Sequence, residues 1–155
     1  MANHGDGMDY YALRVGDLMT PEVVTLAVFE DMAVAAQLMR EGAIRHLPVV
    51  DDEGKLVGLV THRDLLRVSE SSERPLSDEE RTARLTSLPV RDVMHRDVLI
   101  AYEGDPLEEA AQRMIARKVG CLPVVDARAR LVGIVTEADF VALTIRLVAL
   151  GRGEK

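Results

Sequence analysis

The chain has 155 residues, a formal net charge of −7 and an apolar fraction of 48%, of which very little is aromatic. That composition can support a real core, which argues against disorder, and points to one built from Val, Leu, Ile, Ala and Met, suited to small α/β units. The acidic balance argues against nucleic acid as a partner, since phosphate-backbone binding is driven by clustered Lys and Arg, and no apolar run approaches the ~18–20 residues of a membrane span.

In chain order, the opening stretch to Val15 lacks the basic region and apolar run of a secretory signal. A short apolar segment, Val23–Leu26, reads as a strand. A helix follows with Met32, Ala35, Ala36 and Met39 on one face, and its cap at Glu30-Asp31 reads as weak. His46–Asp51 and Lys55–Thr61 flank Asp52-Glu53-Gly54 and predict a hairpin, with Gly54 supplying the turn chemistry. A second helix starts near Asp64, three residues after Thr61. The polar stretch 69–89, with Ser69, Ser71 and Ser72 read as solvated, reads as a linker. Ser77-Asp78-Glu79-Glu80 has the form of a capping box, predicting a short helix over Asp78–Leu85.

The series then repeats. Val98–Ala101 reads as a strand, and Asp105-Pro106-Leu107-Glu108 as a helix start with Asp as the N-cap and Pro at the first helical position. Leu107, Ala110, Ala111 and Met114 share one face of that helix. Cys121–Asp126 and Arg130–Thr136 flank Ala127-Arg128-Ala129 as a second hairpin, and a helix begins near Asp139. Phe140–Leu150 is an apolar-rich helix expected to end at Gly151. A shift of 75 residues, carrying Val15 to Val90, superimposes the halves without a gap, with about a third of positions identical, so a tandem duplication fixes the architecture. The unit is β-α-β-β-α, twice: residues 15–68, a linker over 69–89, and 90–150 with the C-terminal helix.

The shared motifs are an opening V-x-D-x-M (Val15 to Met19, Val90 to Met94), the strand L-P-V-V-D, the strand L-V-G-x-V and a closing T-x-x-D. In this order and at a constant offset they resemble the cystathionine-β-synthase (CBS) domain pair over nearly the whole chain. The resemblance implies an α/β fold of two β-α-β-β-α units packed about a pseudo-two-fold axis. It implies two clefts between the units for adenosyl ligands such as AMP, ADP, ATP, NAD-like compounds or S-adenosylmethionine. It also implies a homodimer formed through helices and, with no effector domain in the chain, output through a separate effector protein.

The residues themselves make T-x-x-D sensible as a ribose site. The Asp64 and Asp139 carboxylates can each accept bonds from vicinal ribose hydroxyls, with Thr61 and Thr136 alongside at the helix start. The same pattern is also ordinary N-capping, and the two roles are compatible. Val23, Val24, Leu47 and Pro48, with Val98 as the counterpart of Val23, offer apolar surface for an adenine. Gly58 and Gly133 permit close backbone approach within a strand.

The halves differ in charge. Arg45 and His46 precede the first L-P-V-V-D, and His62 and Arg63 lie within the first T-x-x-D. Gly120, Cys121, Glu137 and Ala138 take those places in the second half. The expectation is that the Asp64 cleft takes a phosphorylated nucleotide and the Asp139 cleft an adenosine-like ligand or none, unless Arg45 or Arg63 reaches across the pair. His95 and Arg96 can serve either cleft, and Mg can accompany a polyphosphate without a protein cage. His4, His46, His62, His95 and Cys121 lack zinc-site spacing. No phosphate loop, nucleophile elbow or metalloprotease motif is present, so no catalysis and no required cofactor are expected. The single cysteine excludes an intrachain disulfide and fits a reducing cytoplasm.

Overall fold

The computed structural model describes residues 12–70 and 73–153. The expectations for His4, for the opening stretch before residue 12, and for Ser71 and Ser72 lie outside these residues, whereas Ser69, read as solvated, is buried at the end of the helix His62–Ser69 and donates its hydroxyl to the Leu65 carbonyl at 2.6 Å.

Each half opens with a single helical turn that the apolar pattern does not announce, α1 (Val15–Leu18) and, 75 residues on, α5 (Val90–Val93). The first half continues with β1 (Leu26–Ala27), α2 (Met32–Gly42), β2 (His46–Val50), β3 (Leu56–Thr61) and α3 (His62–Ser69). A linker helix α4 (Asp78–Thr86) follows, with Ser77 and Glu80 forming the expected reciprocal cap. The second half carries α6 (Leu107–Arg117), β4 (Cys121–Val125), β5 (Leu131–Thr136) and α7 (Glu137–Gly151). The terminal helix is therefore one continuous element from the end of β5 through Gly151.

β1 pairs in parallel with β2, and β2 runs antiparallel to β3. The second sheet repeats the hairpin as β4 and β5. Its first strand shrinks to one parallel bridge, Ala101 with Val124. The predicted strands Val23–Leu26 and Val98–Ala101 are thus mostly loop, because only their last residues reach a partner with backbone groups to share. The two hairpin turns have the same shape, but Gly54 meets it at φ 76° and Ala129 at φ 63°, so the second turn is built without the residue that favours it.

The helix caps reverse the expectation. Asp31 is the N-cap of α2 and accepts from the Ala33 and Val34 N–H groups at 2.9 and 3.2 Å. Asp105 caps nothing in α6: Pro106 takes the N-cap position and the helix begins at Leu107. The Asp105 carboxylate instead accepts from the Tyr102 N–H at 2.9 Å.

The opening turns are exchanged between the halves. Val90 and Met94 are buried in the core of the first half with Leu26, Met32, Leu47, Val49 and Val60. Val15 is buried in the second with Leu107, Met114, Leu122, Val124 and Val135. Backbone bonds fix the exchange, Val15 N–H to Asp105 O at 3.0 Å and Val90 N–H to Glu30 O at 2.9 Å. Bridges between the halves come in pairs related by the 75-residue shift: Thr20 with Ile134 and His95 with Leu59, Arg14 with Pro106 and Asp31 with Pro89. Lys55 bridges Arg130, its own equivalent, which marks where the pseudo-two-fold axis passes. Gly58 and Gly133 sit at this seam. A Cβ at Gly58 would stand 2.5 Å from Met94 Sδ, and one at Gly133 2.5 Å from Met19 Sδ. The close approach these glycines allow is that of the other half's opening turn.

Candidate functional site

The seam leaves a cavity of about 500 Å³ between the halves. One wall is the loop after α1 and the end of α2, supplying Thr20, Glu22, Val23, Val24, Ile44, Arg45 and His46. The other is Ile134, Thr136, Glu137, Ala138 and Asp139 at the β5–α7 junction, with Gly120 beside it. Of the residues expected from sequence, Val23, Arg45, His46, Thr136 and Asp139 are therefore brought together. Thr20, Glu22 and Ile44 were not singled out; Thr20 follows Met19, and only the pairing of each opening turn with the opposite hairpin places it here.

Asp139 lies in the first turn of α7, the same carboxylate position that Asp64 holds in α3. The Thr136 N–H and hydroxyl both donate to Asp139 Oδ2, at 2.7 and 3.0 Å. Oδ1 has no hydrogen-bond partner among the described residues. Half-buried and one-sidedly bonded, this carboxylate retains accepting capacity toward a pair of hydroxyls. The backbone N–H groups at the start of α7 add partial positive charge nearby.

The charge on the walls is mostly negative: Glu22, Glu137 and Asp139 against Arg45. Burial pushes the His46 imidazole below its usual range, and the neighbouring Arg45 pushes it further; Glu137 pulls the other way without reversing the direction. His46 is accordingly neutral near pH 7. Gly120 is what lets it lie there, since a Cβ at that position would stand 2.8 Å from His46 Nε2.

The placement differs from the sequence expectation in three respects. Arg45 and His46 face the Asp139 cavity across the pair rather than serving Asp64. Asp64 is only 4% exposed, and its carboxylate is already engaged. Oδ2 accepts from the Thr61 N–H and hydroxyl at 2.9 and 2.8 Å, and Oδ1 meets His95 Nε2 at 2.8 Å and Arg67 at 3.4 Å. Burial raises the Asp64 pKa, but the Thr61 bonds and then His95 outweigh it, leaving the group below the ordinary carboxylate range. Third, Leu47 and Pro48 are fully buried and offer no face to a ligand.

The remaining candidates are dispersed. His62 borders a groove between α2, α3 and α4, and Arg63 is exposed on the first turn of α3. Val98 lines a shallow depression beside β3 with Arg96 and Ile100. Cys121 is buried in β4, where burial and then Glu137 push its thiol up to about 12; it stays protonated and unreactive at neutral pH. Among the described residues no group of three or more His, Cys, Asp or Glu side chains is placed to hold a metal ion, and no helix is long and apolar enough to cross a membrane.

Comparison with known proteins agrees with this architecture. The sequence model of the CBS domain matches twice, over residues 15–71 and 90–145. A CBS domain-containing protein of Dictyostelium discoideum is 34% identical over 134 residues, covering 86% of this chain and 92% of that one. The match to a homoserine O-acetyltransferase of Methanococcoides burtonii, 36% identical, spans only 23% of that protein's length. The crystal structure of the CBS domain pair of protein MJ0100, in complex with 5′-methylthioadenosine and S-adenosyl-L-methionine, is similar with a TM-score of 0.71 and 29% identity, covering 86% of this chain and 96% of that one. CBSX2 of Arabidopsis thaliana in complex with AMP gives a TM-score of 0.72 and 31% identity over 86% and 97% of the respective chains. Two matched repeats, exchanged opening turns and a cleft at the T-x-x-D junction describe one architecture, and the chain belongs to the CBS domain family as a tandem pair.

Proposed function

We propose that this chain is a regulatory module that binds an adenosine-containing ligand in the cleft at Asp139 and performs no chemistry on it. The observation that carries the reading is the open cavity into which Asp139 presents a carboxylate with one oxygen unpartnered. Ribose hydroxyls would satisfy that oxygen, Val23, Val24, Ile44 and Ile134 would flank the base, and Thr136 would bond the sugar or what it carries. The ligands held by MJ0100 and CBSX2 share the adenosine that this arrangement suits.

Wall charge narrows the ligand class. With three carboxylates against one guanidinium, the cleft favours an adenosyl ligand with no phosphate or only one, such as S-adenosylmethionine, 5′-methylthioadenosine or AMP, over ATP with its Mg. Glu137→Gln is expected to tighten AMP about three- to tenfold at low salt, the worth of one nearby unit charge in a partly solvated site. S-adenosylmethionine should be unaffected or weakened in the same calorimetric titration. Equal effects on both ligands would refute the charge argument.

Because the walls come from different halves, a bound ligand bridges them and biases their relative arrangement by its differential affinity for the alternatives. Output passes to an effector protein through a homodimer. The exposed stripe Val141, Ile145 and Val148 on α7, at 61%, 66% and 49% exposure, supports that dimer, because such a row is covered in most stable proteins. Ile145→Glu is expected to shift the protein from dimer to monomer in sedimentation equilibrium, and a wild-type monomer at micromolar concentration would count against it.

The deciding experiment is calorimetric titration of wild type and Asp139→Ala with AMP and with S-adenosylmethionine. Binding in the wild type, weakened about 100-fold by the substitution, is expected from the loss of charge-assisted hydrogen bonds. No heat from any adenosyl ligand at millimolar concentration would move the function to a purely structural dimer.

A further inference from the structure

The two aspartates stand in the same local frame, and that makes their difference informative. Thr61 and Thr136 each donate an N–H and a hydroxyl to Oδ2 of the aspartate three residues on. Near each carboxylate the chain crosses from the other half by the same reciprocal backbone pair: Thr20 with Ile134, His95 with Leu59, N–H to O distances 2.9–3.0 Å in both. Thr20 and His95 are equivalents under the 75-residue shift, as are Ala142 and Arg67. Where the crossing residue is Thr20, Oδ1 of Asp139 is unpartnered and a cavity opens. Where it is His95, the imidazole Nε2 stands 2.8 Å from Asp64 Oδ1, with Arg67 behind it at 3.4 Å.

From this we infer that the Asp64 cleft is a second adenosine site closed by its own chain, with the His95 imidazole seated on the carboxylate oxygen that a ribose would use. The inference rests on the reading of Asp139 as a ribose acceptor. His95 is well placed to be a plug rather than a structural strut. Its side chain is 57% exposed, while the Asp64 side chain it covers is 6% exposed. The crossing backbone is the same at both clefts, so the side chains at the positions of His95 and Arg67 decide which is open. The opened site would carry His62 and Arg63 where the first has Glu137 and Ala138, and would therefore accept a nucleoside monophosphate more readily than the Asp139 cleft does.

The test is the stoichiometry of AMP binding by calorimetry on the full chain. Wild type is expected to take one AMP per chain, lost in Asp139→Ala. His95→Thr, which installs the residue found at the equivalent crossing, is expected to take two. The added site should vanish in His95→Thr/Asp64→Ala and survive in His95→Thr/Asp139→Ala. Because Arg67 also reaches Oδ1, His95→Thr/Arg67→Ala installs both residues found at the equivalent positions near Asp139 and serves as the second variant, with circular dichroism confirming its fold. A wild type that already binds two AMP per chain overturns the inference and leaves the Asp139 reading intact. So does a stoichiometry of one in wild type and in both opened variants. Conversely, no binding by wild type but one Asp64-dependent AMP in His95→Thr keeps the plug and removes the Asp139 reading. No binding by any variant overturns both.

Discussion

Asp139→Ala is expected to abolish nearly all of the rise in melting temperature that an adenosyl ligand gives the wild type. At a ligand concentration of about 100 Kd, binding stabilises the native state by about 2.7 kcal/mol. For a chain of this length that is a shift of about 5–10 °C. If the substitution weakens binding about 100-fold, the same concentration contributes only about 0.4 kcal/mol, or about 1 °C. The variant must be compared with its own unliganded baseline. The Thr136 N–H and hydroxyl lose their acceptor, and losing a helix-start cap costs about 0.5–2 kcal/mol. A ligand shift of wild-type size above that lowered baseline would show that Asp139 caps α7 and does not touch the ligand.

Gly58→Ala carries the largest expected cost to the unliganded protein from adding one methyl group. The new Cβ would stand 2.5 Å from Met94 Sδ, 2.9 Å from Met94 Cγ and 3.0 Å from the His95 carbonyl oxygen. Met94 cannot swing clear cheaply, because it is buried with Val60, Leu65 and Val90. The carbonyl is fixed by the bridge between His95 and Leu59. Overpacking of this kind costs about 1–3 kcal/mol, which lowers the melting temperature by about 3–10 °C. Gly54→Ala makes a useful contrast: nothing lies within 4 Å of a Cβ there, and its cost comes only from the φ of 76°. Equal melting temperatures for Gly58→Ala and wild type would mean that the two halves are not pressed together at this seam.

Much of this arrangement is legible in the sequence. The 75-residue repeat, the two hairpins, the α4 cap at Ser77 and the Thr–Asp pairs at the helix starts all rest on local signals: turn residues, periodicity and side chains bonding their own backbone. What escaped is what depends on the other half. The turns at Val15–Leu18 and Val90–Val93 are too short to show a period, and their valines are apolar because they close the core of the other half. Which cleft Arg45 serves is open in the sequence, crossing included, for the same reason. Arg45 lies near Thr61 and Asp64 in sequence, yet it faces Asp139 because the pair is built about a two-fold axis. By sequence His95 can serve either cleft; its geometry makes it a partner of Asp64. The cap at Asp105 failed for a smaller reason: Pro106 holds an extended backbone, ψ 130°, and moves the helix start on by one residue.

The exchanged opening turns have a consequence for how this protein can be assembled and cut. Neither half owns a closed interior: the first borrows Val90 and Met94, the second borrows Val15. Two clips on one belt describe the situation better than two beads on a string. A chain severed in the linker at 71–72 would leave pieces that each lack their own lid, so they should acquire structure only in one another's presence. Closing the Val15–Asp105 contact requires residues 90 positions apart to meet before the second interior is dry, which makes its folding a late event.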